Sequence, residues 1–196
     1  MCGRFTLRNP KSVIDLFETE EFIPRFNIAP SQKILTISDK PSFMIWGFTP
    51  YWATKPFNLI NARAESLWKK PSFRNSSRCL IPSDGWYEWK QEKDKKIPYF
   101  HHMEDKTFCF AGVFGGYRGE VGCAIVTIDS TKKLRDIHSR MPAILDKSCY
   151  QAWLKGDLEN VFETSIDSKV HVIELSNYVN NPEHDDKDCI APLSES

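Results

Sequence analysis

Short apolar, β-prone runs separated by turn residues are the feature that most limits what this chain can fold into. Alternating apolar and polar residues, bounded by Gly, Pro, Asn and Asp, predict strands at 3–7, 33–38, 42–47, 78–82, 85–90, 98–103, 107–114, 122–127 and 169–175. Helices are predicted after Asn9-Pro10, at 62–69 and at 148–154. A turn is predicted at 27–30, an aromatic-rich loop at 48–57 and a polar, loop-like tail from Asn180.

Many short strands with three or four helices predict an α+β fold. The chain has 196 residues, of which 41% are hydrophobic, which is enough for one packed core. We therefore expect a single domain over residues 1–196, built on a strongly curved, barrel-like, mostly antiparallel sheet flanked by a few short helices.

The charge balance excludes several function classes. Lys and Arg number 26 and Asp and Glu number 26, so no overall field draws the chain to nucleic acid or to a membrane surface.

The sequence contains no apolar run long enough for a membrane span and no apolar signal region at its N-terminus. We therefore expect a cytoplasmic or nuclear location, in which the six Cys residues are reduced. Because these Cys residues lack zinc-type spacing, we also expect no metal, and no cofactor is expected.

Cys2 follows Met1 directly and is the first candidate for chemistry. Removal of Met1 would leave an α-amine and a thiol on one residue, and both groups titrate near neutrality when exposed. The amine condenses with an aldehyde to an imine, and the thiol then closes on the imine carbon to form a thiazolidine ring. The alternative is that Cys2 is simply a small, half-buried strand residue.

Two further segments carry titratable groups. Glu88 lies in the aromatic run 85–89, and if it shares a strand face with Trp86, desolvation raises its pKa towards neutrality. Otherwise it lies at the surface. His138 and Arg140 precede Pro142 in an extended segment, and this pair suits anion binding with proton transfer. The alternative there is an exposed polar loop.

Other residues leave two interpretations open. Asn61 caps the predicted helix at 62–69 or reaches into a site. Trp52 packs in the core, or is exposed and stacks on bases. His101 and His102 are predicted to be surface residues. Three arginines lie beside the candidate motifs and would form a phosphate-binding patch if they converge: Arg4, Arg63 and Arg140.

Taken together, these motifs resemble the SOS response-associated peptidase (SRAP) family of abasic-site processing proteins. The matching segments occur in family order along nearly the whole chain: 1–5 (MCGRF), 26–30 (FNIAP), 46–48 (WGF), 60–65 (INARAE), 78–82 (RCLIP), 84–89 (DGWYEW), 137–142 (IHSRMP) and 176–181 (SNYVNN). The resemblance departs from many relatives at Ser139, where an acidic or amide residue is common, and at Trp52, which follows Tyr51 rather than a second Trp.

The resemblance implies that Cys2, freed of Met1, forms a thiazolidine crosslink with the ring-opened sugar of an abasic site. It further implies that Glu88 transfers protons during this reaction, that His138 promotes opening of the sugar, and that Asn61 orients Cys2 or the sugar. Arg4, Arg63 and Arg140 would hold flanking phosphates. Trp52 and Pro30 would shape the path of single-stranded DNA at a junction with duplex. β-Elimination at the lesion, reversal of the crosslink and removal of the chain's own Met1 are implied as associated activities.

The expected partner is therefore single-stranded DNA containing abasic sites, bound by a monomer with no membrane association. The expected location is the cytoplasm of a bacterial or phage host, near the nucleoid, or a eukaryotic nucleus. Two other hypotheses stay open on the residues alone. One is an N-terminal-nucleophile peptidase or amidase, with His138 or Glu88 as base. The other is a non-covalent reader of modified DNA that uses the aromatic loop and the arginines.

Overall fold

The computed structural model describes residues 2–104, 106–157 and 168–193. The strands are β1 Arg4–Leu7, β2 Arg25–Ile28, β3 Lys33–Ile37, β4 Pro41–Trp46, β5 Asn61–Arg63, β6 Ser77–Ser83, β7 Gly85–Glu92, β8 Lys95–His102, β9 Phe108–Tyr117, β10 Glu120–Asp129, β11 Arg140–Pro142, β12 Ile144–Leu145 and β13 His171–Glu174. The α-helices within these residues are α1 Pro10–Phe17 and α2 Tyr150–Lys155, and short 3₁₀ helices cover Ala64–Ser66, Lys147–Cys149, Asn177–Asn180 and Lys187–Ile190. None of the helices in this described part of the chain is long and apolar enough to cross a membrane.

The strands form two sheets. The first sheet is antiparallel, in the order β13-β8-β7-β1-β2. In the second, eight-stranded sheet, the pairings β10-β4-β3-β6-β9 return from β9 to β10 and close a ring. Among the described strands, only the pairings of β10 with β4 and β5 are parallel. The predicted α+β class with a strongly curved, mostly antiparallel sheet and a few short helices is therefore confirmed, although the strands divide between two sheets.

Asp84 lies where the chain passes from β6 of the second sheet to β7 of the first. Its carboxylate accepts hydrogen bonds from the Thr6 hydroxyl at 2.5 Å, the Arg8 backbone at 2.5 Å and the Arg8 Nε at 2.9 Å. At Gly85 the chain passes so close to Phe100 that a Cβ atom would lie 2.4 Å from the ring. Asp84 and Gly85 thus join the end of β1 to the start of β7, which brings the N-terminus beside that strand.

The core is aromatic and lies mainly between the two sheets. Phe5 packs edge-on against Trp46 and Phe110, with ring centroids 5.2 and 5.9 Å apart, and Trp86 meets Phe110 at 6.4 Å. A smaller cluster, centred on Tyr87 and covered by the C-terminal segment, packs on the opposite face of the first sheet. Because both faces of this sheet are covered, alternate residues of β7 are buried on either side.

Three local predictions were wrong because tertiary contacts override local signals. The predicted helix at 62–69 is instead β5 followed by a 3₁₀ turn, since residues 61–63 pair with β10 from Ile125 to Thr127. Part of the predicted turn at 27–30 is the end of β2, which pairs with β1. His101 is buried, not at the surface, and stacks on Trp86 with ring centroids 4.9 Å apart. Burial lowers the pKa of His101 to about 4.

Candidate active site

A cavity of about 560 Å³ lies beside the first sheet and brings three of the predicted site residues together. Arg4 enters from β1, Glu88 from β7 and His138 from the segment before β11. We call this space the inner cavity; its remaining lining residues are Trp89, Gln91, Lys96 and Asn180. The inner cavity thus combines a carboxyl group, an imidazole and a guanidinium group, which together provide proton transfer and anion binding.

Cys2 lies next to these residues and is completely buried, with 0% of its surface exposed. Its carbonyl oxygen accepts a hydrogen bond from Asn61 Nδ2 at 2.9 Å, and its thiol contacts the Arg4 carbonyl oxygen at 3.7 Å. Burial raises the pKa of the Cys2 thiol well above its usual value, and the negative charge of Glu88 adds to this effect. The thiol is therefore protonated at neutral pH, which differs from the reactivity expected of an exposed cysteine.

Asn61 does not cap a helix; it is the first residue of β5 and its side chain reaches the N-terminal segment. Parallel pairing with Ile125 of β10 holds the backbone of this residue. Its Oδ1 atom is buried and has no hydrogen-bond partner among the described residues. Leaving a buried acceptor unsatisfied costs about 1–3 kcal/mol, so its position beside Cys2 is typical of a functional group.

Glu88 is buried, with 3% of its surface exposed, which excludes the alternative of a surface carboxylate. Desolvation raises its pKa to about 7, while the positive charge of the N-terminal amine acts in the opposite direction. Both protonation states are therefore populated near neutral pH. A carboxyl group with this pKa is suited to act as a general acid and as a general base in successive steps.

His138 is half-buried, and its ring is oriented by the backbone of Arg140 at the start of β11. Its Nδ1 atom lies 3.0 Å from the Arg140 backbone nitrogen and 3.1 Å from the Arg140 carbonyl oxygen, so it accepts from the first or donates to the second according to the tautomer. Burial lowers the pKa of His138, and the charges of the N-terminal amine and Arg140 contribute to the same effect. The imidazole is therefore neutral at neutral pH.

Arg4 is held in place by residues that the sequence analysis did not identify. Its Nη1 atom donates to Asn27 Oδ1 at 2.8 Å and to the Val179 carbonyl at 3.0 Å, and Nη2 donates to the Asn180 carbonyl at 3.3 Å. Asn27 is fully buried and its Nδ2 atom donates to carbonyl groups of the C-terminal segment, including that of His184 at 2.8 Å. The signal available in the sequence was a polar Asn between Phe26 and Ile28, inside a matching motif.

Of the three arginines expected at phosphates, Arg4 lines the inner cavity, whereas Arg63 and Arg140 are not among its lining residues. Arg140 is 8% exposed and makes a two-point ion pair with Glu65, at 2.9 and 3.0 Å, and a second ion pair with Asp129 at 2.6 Å. Its charge is balanced within the fold, so its position differs from the one expected for a phosphate contact. Arg63 is exposed at the end of β5.

The aromatic loop between β4 and β5 presents side chains to solvent. Trp52 is 46% exposed and Tyr51 is 68% exposed, whereas Trp46 at the end of β4 is buried in the core. Trp52 packs edge-on against Phe57 with ring centroids 5.5 Å apart. Trp52 is therefore exposed rather than packed in the core, and its stacking on bases stays a prediction. Pro30 is half-buried in the connection between β2 and β3.

The donor set at the site is suited to proton transfer rather than to metal binding. Among residues 2–104, 106–157 and 168–193, no group of three or more His, Cys, Asp and Glu side chains could hold a metal ion. The site instead combines the buried thiol of Cys2, the carboxyl group of Glu88 with its near-neutral pKa and the neutral imidazole of His138. It also contains the Asn61 amide oxygen, which has no hydrogen-bond partner among the described residues. These groups can promote addition to a carbonyl carbon and loss of water from the adduct.

Comparison with known proteins is consistent across sequence and structure. The family model described as SOS response associated peptidase (SRAP) matches residues 1–182. The chain is 34% identical to the abasic site processing protein YoqW of Bacillus subtilis, across 97% of this chain and 99% of that protein. It is 32% identical to the abasic site processing protein YedK of Escherichia coli, across 81% of each. It is 25% identical to the abasic site processing protein HMCES of Mus musculus, across 98% of this chain and 76% of that protein.

Solved structures share the fold. A crystal structure of a protein from Bacteroides thetaiotaomicron matches with a TM-score of 0.78 at 23% identity, across 97% of this chain and 99% of that chain. A phage-related protein from Bordetella bronchiseptica matches with a TM-score of 0.71 at 26% identity, across 89% of this chain and 94% of that chain.

Proposed function

This chain belongs to the SRAP family, and on that premise we propose that it processes abasic sites in DNA by forming a covalent bond through Cys2. Relatives at 34% and 32% identity are named abasic site processing proteins. The observation that carries the proposal is the surrounding of Cys2. The Cys2 carbonyl group accepts a hydrogen bond from Asn61, and the charge of Glu88, a residue that lines the inner cavity, raises the pKa of the Cys2 thiol.

The reaction begins when removal of Met1 places the α-amine on Cys2 itself. The amine adds to the aldehyde carbon of the ring-opened deoxyribose, and the resulting carbinolamine loses one water to give an imine. The Cys2 sulfur then adds to the imine carbon and its proton leaves the sulfur, which closes the thiazolidine ring. Overall, one C–N and one C–S bond form, the aldehyde C=O bond is lost, and one water is released.

Glu88 supplies and removes the protons of these steps. Its protonated form donates to the hydroxyl group that leaves as water, and the resulting carboxylate accepts the proton of the Cys2 thiol as sulfur attacks. A pKa of about 7 permits both roles at one pH. Because the buried thiol starts protonated, it needs such a base. The unpartnered Oδ1 of Asn61 is available to accept a hydrogen bond from the new α-amine and so orient it.

His138 assists earlier, when the closed sugar must open. Its neutral imidazole takes the proton of the anomeric hydroxyl group and returns a proton to the ring oxygen as the bond between that oxygen and the anomeric carbon breaks, which leaves the open-chain aldehyde and an unchanged imidazole. Arg4, with the other cations near the cavity, stabilises a neighbouring phosphate.

The imine also acidifies the adjacent carbon, so loss of the 3′ phosphate by β-elimination is an associated lyase activity. The exposed Trp52 suits single-stranded DNA or a junction with duplex, because bases stack on exposed aromatic rings.

The peptidase alternative is disfavoured by the state of the thiol. A cysteine nucleophile attacks amides as a thiolate, and burial here holds the pKa of Cys2 well above its usual value. The non-covalent reader makes no use of Cys2 and predicts binding without an adduct.

The test is intact-mass spectrometry of the protein before and after incubation with single-stranded DNA that contains one abasic site. We expect loss of Met1, then an adduct whose mass equals protein plus DNA minus one water. Cys2→Ala should abolish the adduct, whereas Cys149→Ala, a half-buried cysteine elsewhere, should not. One extra residue ahead of Cys2 should also abolish it while leaving the thermal unfolding temperature unchanged. A thiazolidine-type adduct that persists with Cys2→Ala would refute the proposal.

A further inference from the structure

A second cavity, of about 870 Å³, adjoins the inner cavity. We call it the outer cavity; it lies between the β7–β8 hairpin and the C-terminal segment that follows β13. The two cavities share Gln91, Lys96 and Asn180 in their linings. The two cavities are therefore adjacent, and a strand that occupies the inner cavity can extend towards the outer one.

The outer cavity combines apolar surface with amide and hydroxyl groups. Pro98 of β8 and Leu175 contribute apolar surface. Ser176, Asn177 and Asn180 contribute side chains that both donate and accept hydrogen bonds. Apolar surface with a few convergent polar groups is typical of a site for a flat, neutral ring with hydrogen-bonding edges, such as a nucleobase.

Two successive hydrogen bonds fix the orientation of the Asn180 and Asn177 amide groups, which line the outer cavity. Trp89, which lines the inner cavity, donates from Nε1 to Asn180 Oδ1 at 2.7 Å. Asn180 in turn donates from Nδ2 to Asn177 Oδ1 at 3.1 Å. Both ends of the Asn180 amide are therefore engaged, and the Asn177 amide is oriented through its oxygen. A donor group fixed in this way can distinguish one base edge from another.

The charges that line the outer cavity cancel, and one cation lies at its boundary with the inner cavity. Lys96 belongs to both cavities and lies opposite Gln91 in the β7–β8 pairing. In the outer cavity, Lys95 and Lys96 are balanced by Asp94 and by Glu174, whose Oε2 accepts the Tyr99 hydroxyl at 2.7 Å. A nearly neutral outer cavity does not select an anion, whereas a cation at the boundary suits one phosphate.

We propose that the outer cavity is a nucleotide subsite, in which Lys96 contacts the phosphate next to the lesion and Asn177 reads the adjoining base. The abasic sugar occupies the inner cavity, so the subsite rests on the proposed function for the identity of the substrate. The consequence is a preference for particular bases on one side of the abasic site. Lys96 acts as a positioning contact and Asn177 as the residue that sets specificity.

The test measures non-covalent binding by fluorescence anisotropy, with the full chain carrying Cys2→Ala so that no covalent step contributes. The probes are short single strands with a tetrahydrofuran abasic analogue flanked on either side by each of the four bases in turn. We expect affinity to vary by about five-fold or more with the base on one side, in line with single hydrogen-bonded base contacts. Adding Asn177→Ala should reduce this variation to less than about two-fold.

Salt dependence separates the two roles. Adding Lys96→Gln should lower the slope of log K against log salt concentration by about 0.7, the value for one phosphate contact on a single strand. Lys93→Gln is the matched control, since it removes the same charge from the same hairpin but lies outside both cavities. Asn177→Ala should leave the slope unchanged. Thermal unfolding of each variant confirms that the fold is retained.

The proposal is overturned if affinity is the same for every flanking base on both sides, or if Asn177→Ala leaves a preference intact. It is equally overturned if Lys96→Gln changes the salt slope no more than Lys93→Gln does. Failure of the proposed function has a different signature, namely no adduct of the unsubstituted protein in the mass spectrum. The anisotropy measurement does not depend on that adduct.

Discussion

Replacement of Glu88 by glutamine should make the protein more stable at high pH while it removes proton transfer from the site. The pKa of Glu88 in the folded protein is raised from 4.5 to about 7 by desolvation. Because the folded state favours the protonated form, the contribution of Glu88 to stability is full below about pH 4.5 and is lost as the pH rises through 7. At 1.36 kcal/mol per pH unit, the loss amounts to about 3 kcal/mol by about pH 8.

A glutamine side chain at this position resembles the protonated carboxyl group in shape and cannot ionise. The free energy of unfolding of the Glu88→Gln variant should therefore equal that of the unsubstituted protein at about pH 4.5 and exceed it by up to about 3 kcal/mol at about pH 8. Urea unfolding at several pH values between these limits measures the difference directly. Taking the difference between the two proteins at each pH cancels the titration of the groups that they share.

Glu92→Gln is the matched control, since Glu92 lies on the same strand β7 but is exposed and paired with Lys90. Its effect should stay within about 0.5 kcal/mol, as for other surface substitutions. A difference for Glu88→Gln that stays constant across the pH range would refute the argument, because it would mean that Glu88 has the same pKa in the folded and unfolded chains. The Glu88→Gln variant should at the same time form the DNA adduct at least about 100-fold more slowly, as expected when a general acid–base group is lost.

Three further predictions concern stability and charge. The pKa of His101 is lowered to about 4 by burial, so the stability that its neutral form contributes is present above about pH 6.5 and is lost as the pH falls towards 4. His101→Phe should remove this pH dependence, and equal slopes of unfolding free energy against pH in both proteins would contradict the expectation. Asp84→Asn should lower the unfolding free energy by about 3–5 kcal/mol, because it removes the buried carboxylate that pairs with Arg8, whereas the exposed Asp94→Asn should have little effect. Arg140→Met should lower the unfolding free energy by about 1–3 kcal/mol through loss of the Glu65 pairing but leave the salt dependence of DNA binding unchanged. A fall in the salt slope with Arg140→Met would instead place that residue on a phosphate.

The strands that form hairpins were predictable because their signals are local. Strands were predicted at 85–90 and 98–103, and the structure pairs β7 with β8 from Trp86–His101 to Glu92–Lys95, which extends both strands towards the turn. The segment 62–69 was mispredicted for the opposite reason. Its first residues complete a parallel pairing with β10, which lies about sixty residues later in the chain, and no local pattern contains that information.

The sequence by itself determined which reactive groups this protein has and in which motifs they occur: Cys2, Asn61, Glu88 and His138 were all identifiable as candidates. Only the tertiary structure decided the protonation state, burial and bonding partners of each group. Asn61 reaches the Cys2 carbonyl across 59 positions of the chain. Arg140 was expected beside a phosphate but is neutralised by Glu65, which lies 75 positions away.

The physical reason is that charge state depends on solvent access and on neighbours, and both are set by which distant segments pack together. Glu88 has a near-neutral pKa because the first sheet is covered on both faces, so a side chain that alternates with Tyr87 is also buried. Burial likewise raises the pKa of the Cys2 thiol, which keeps it protonated, and lowers the pKa of His101, which keeps it neutral. Residue type therefore supplies the chemistry, and packing decides at which pH that chemistry operates.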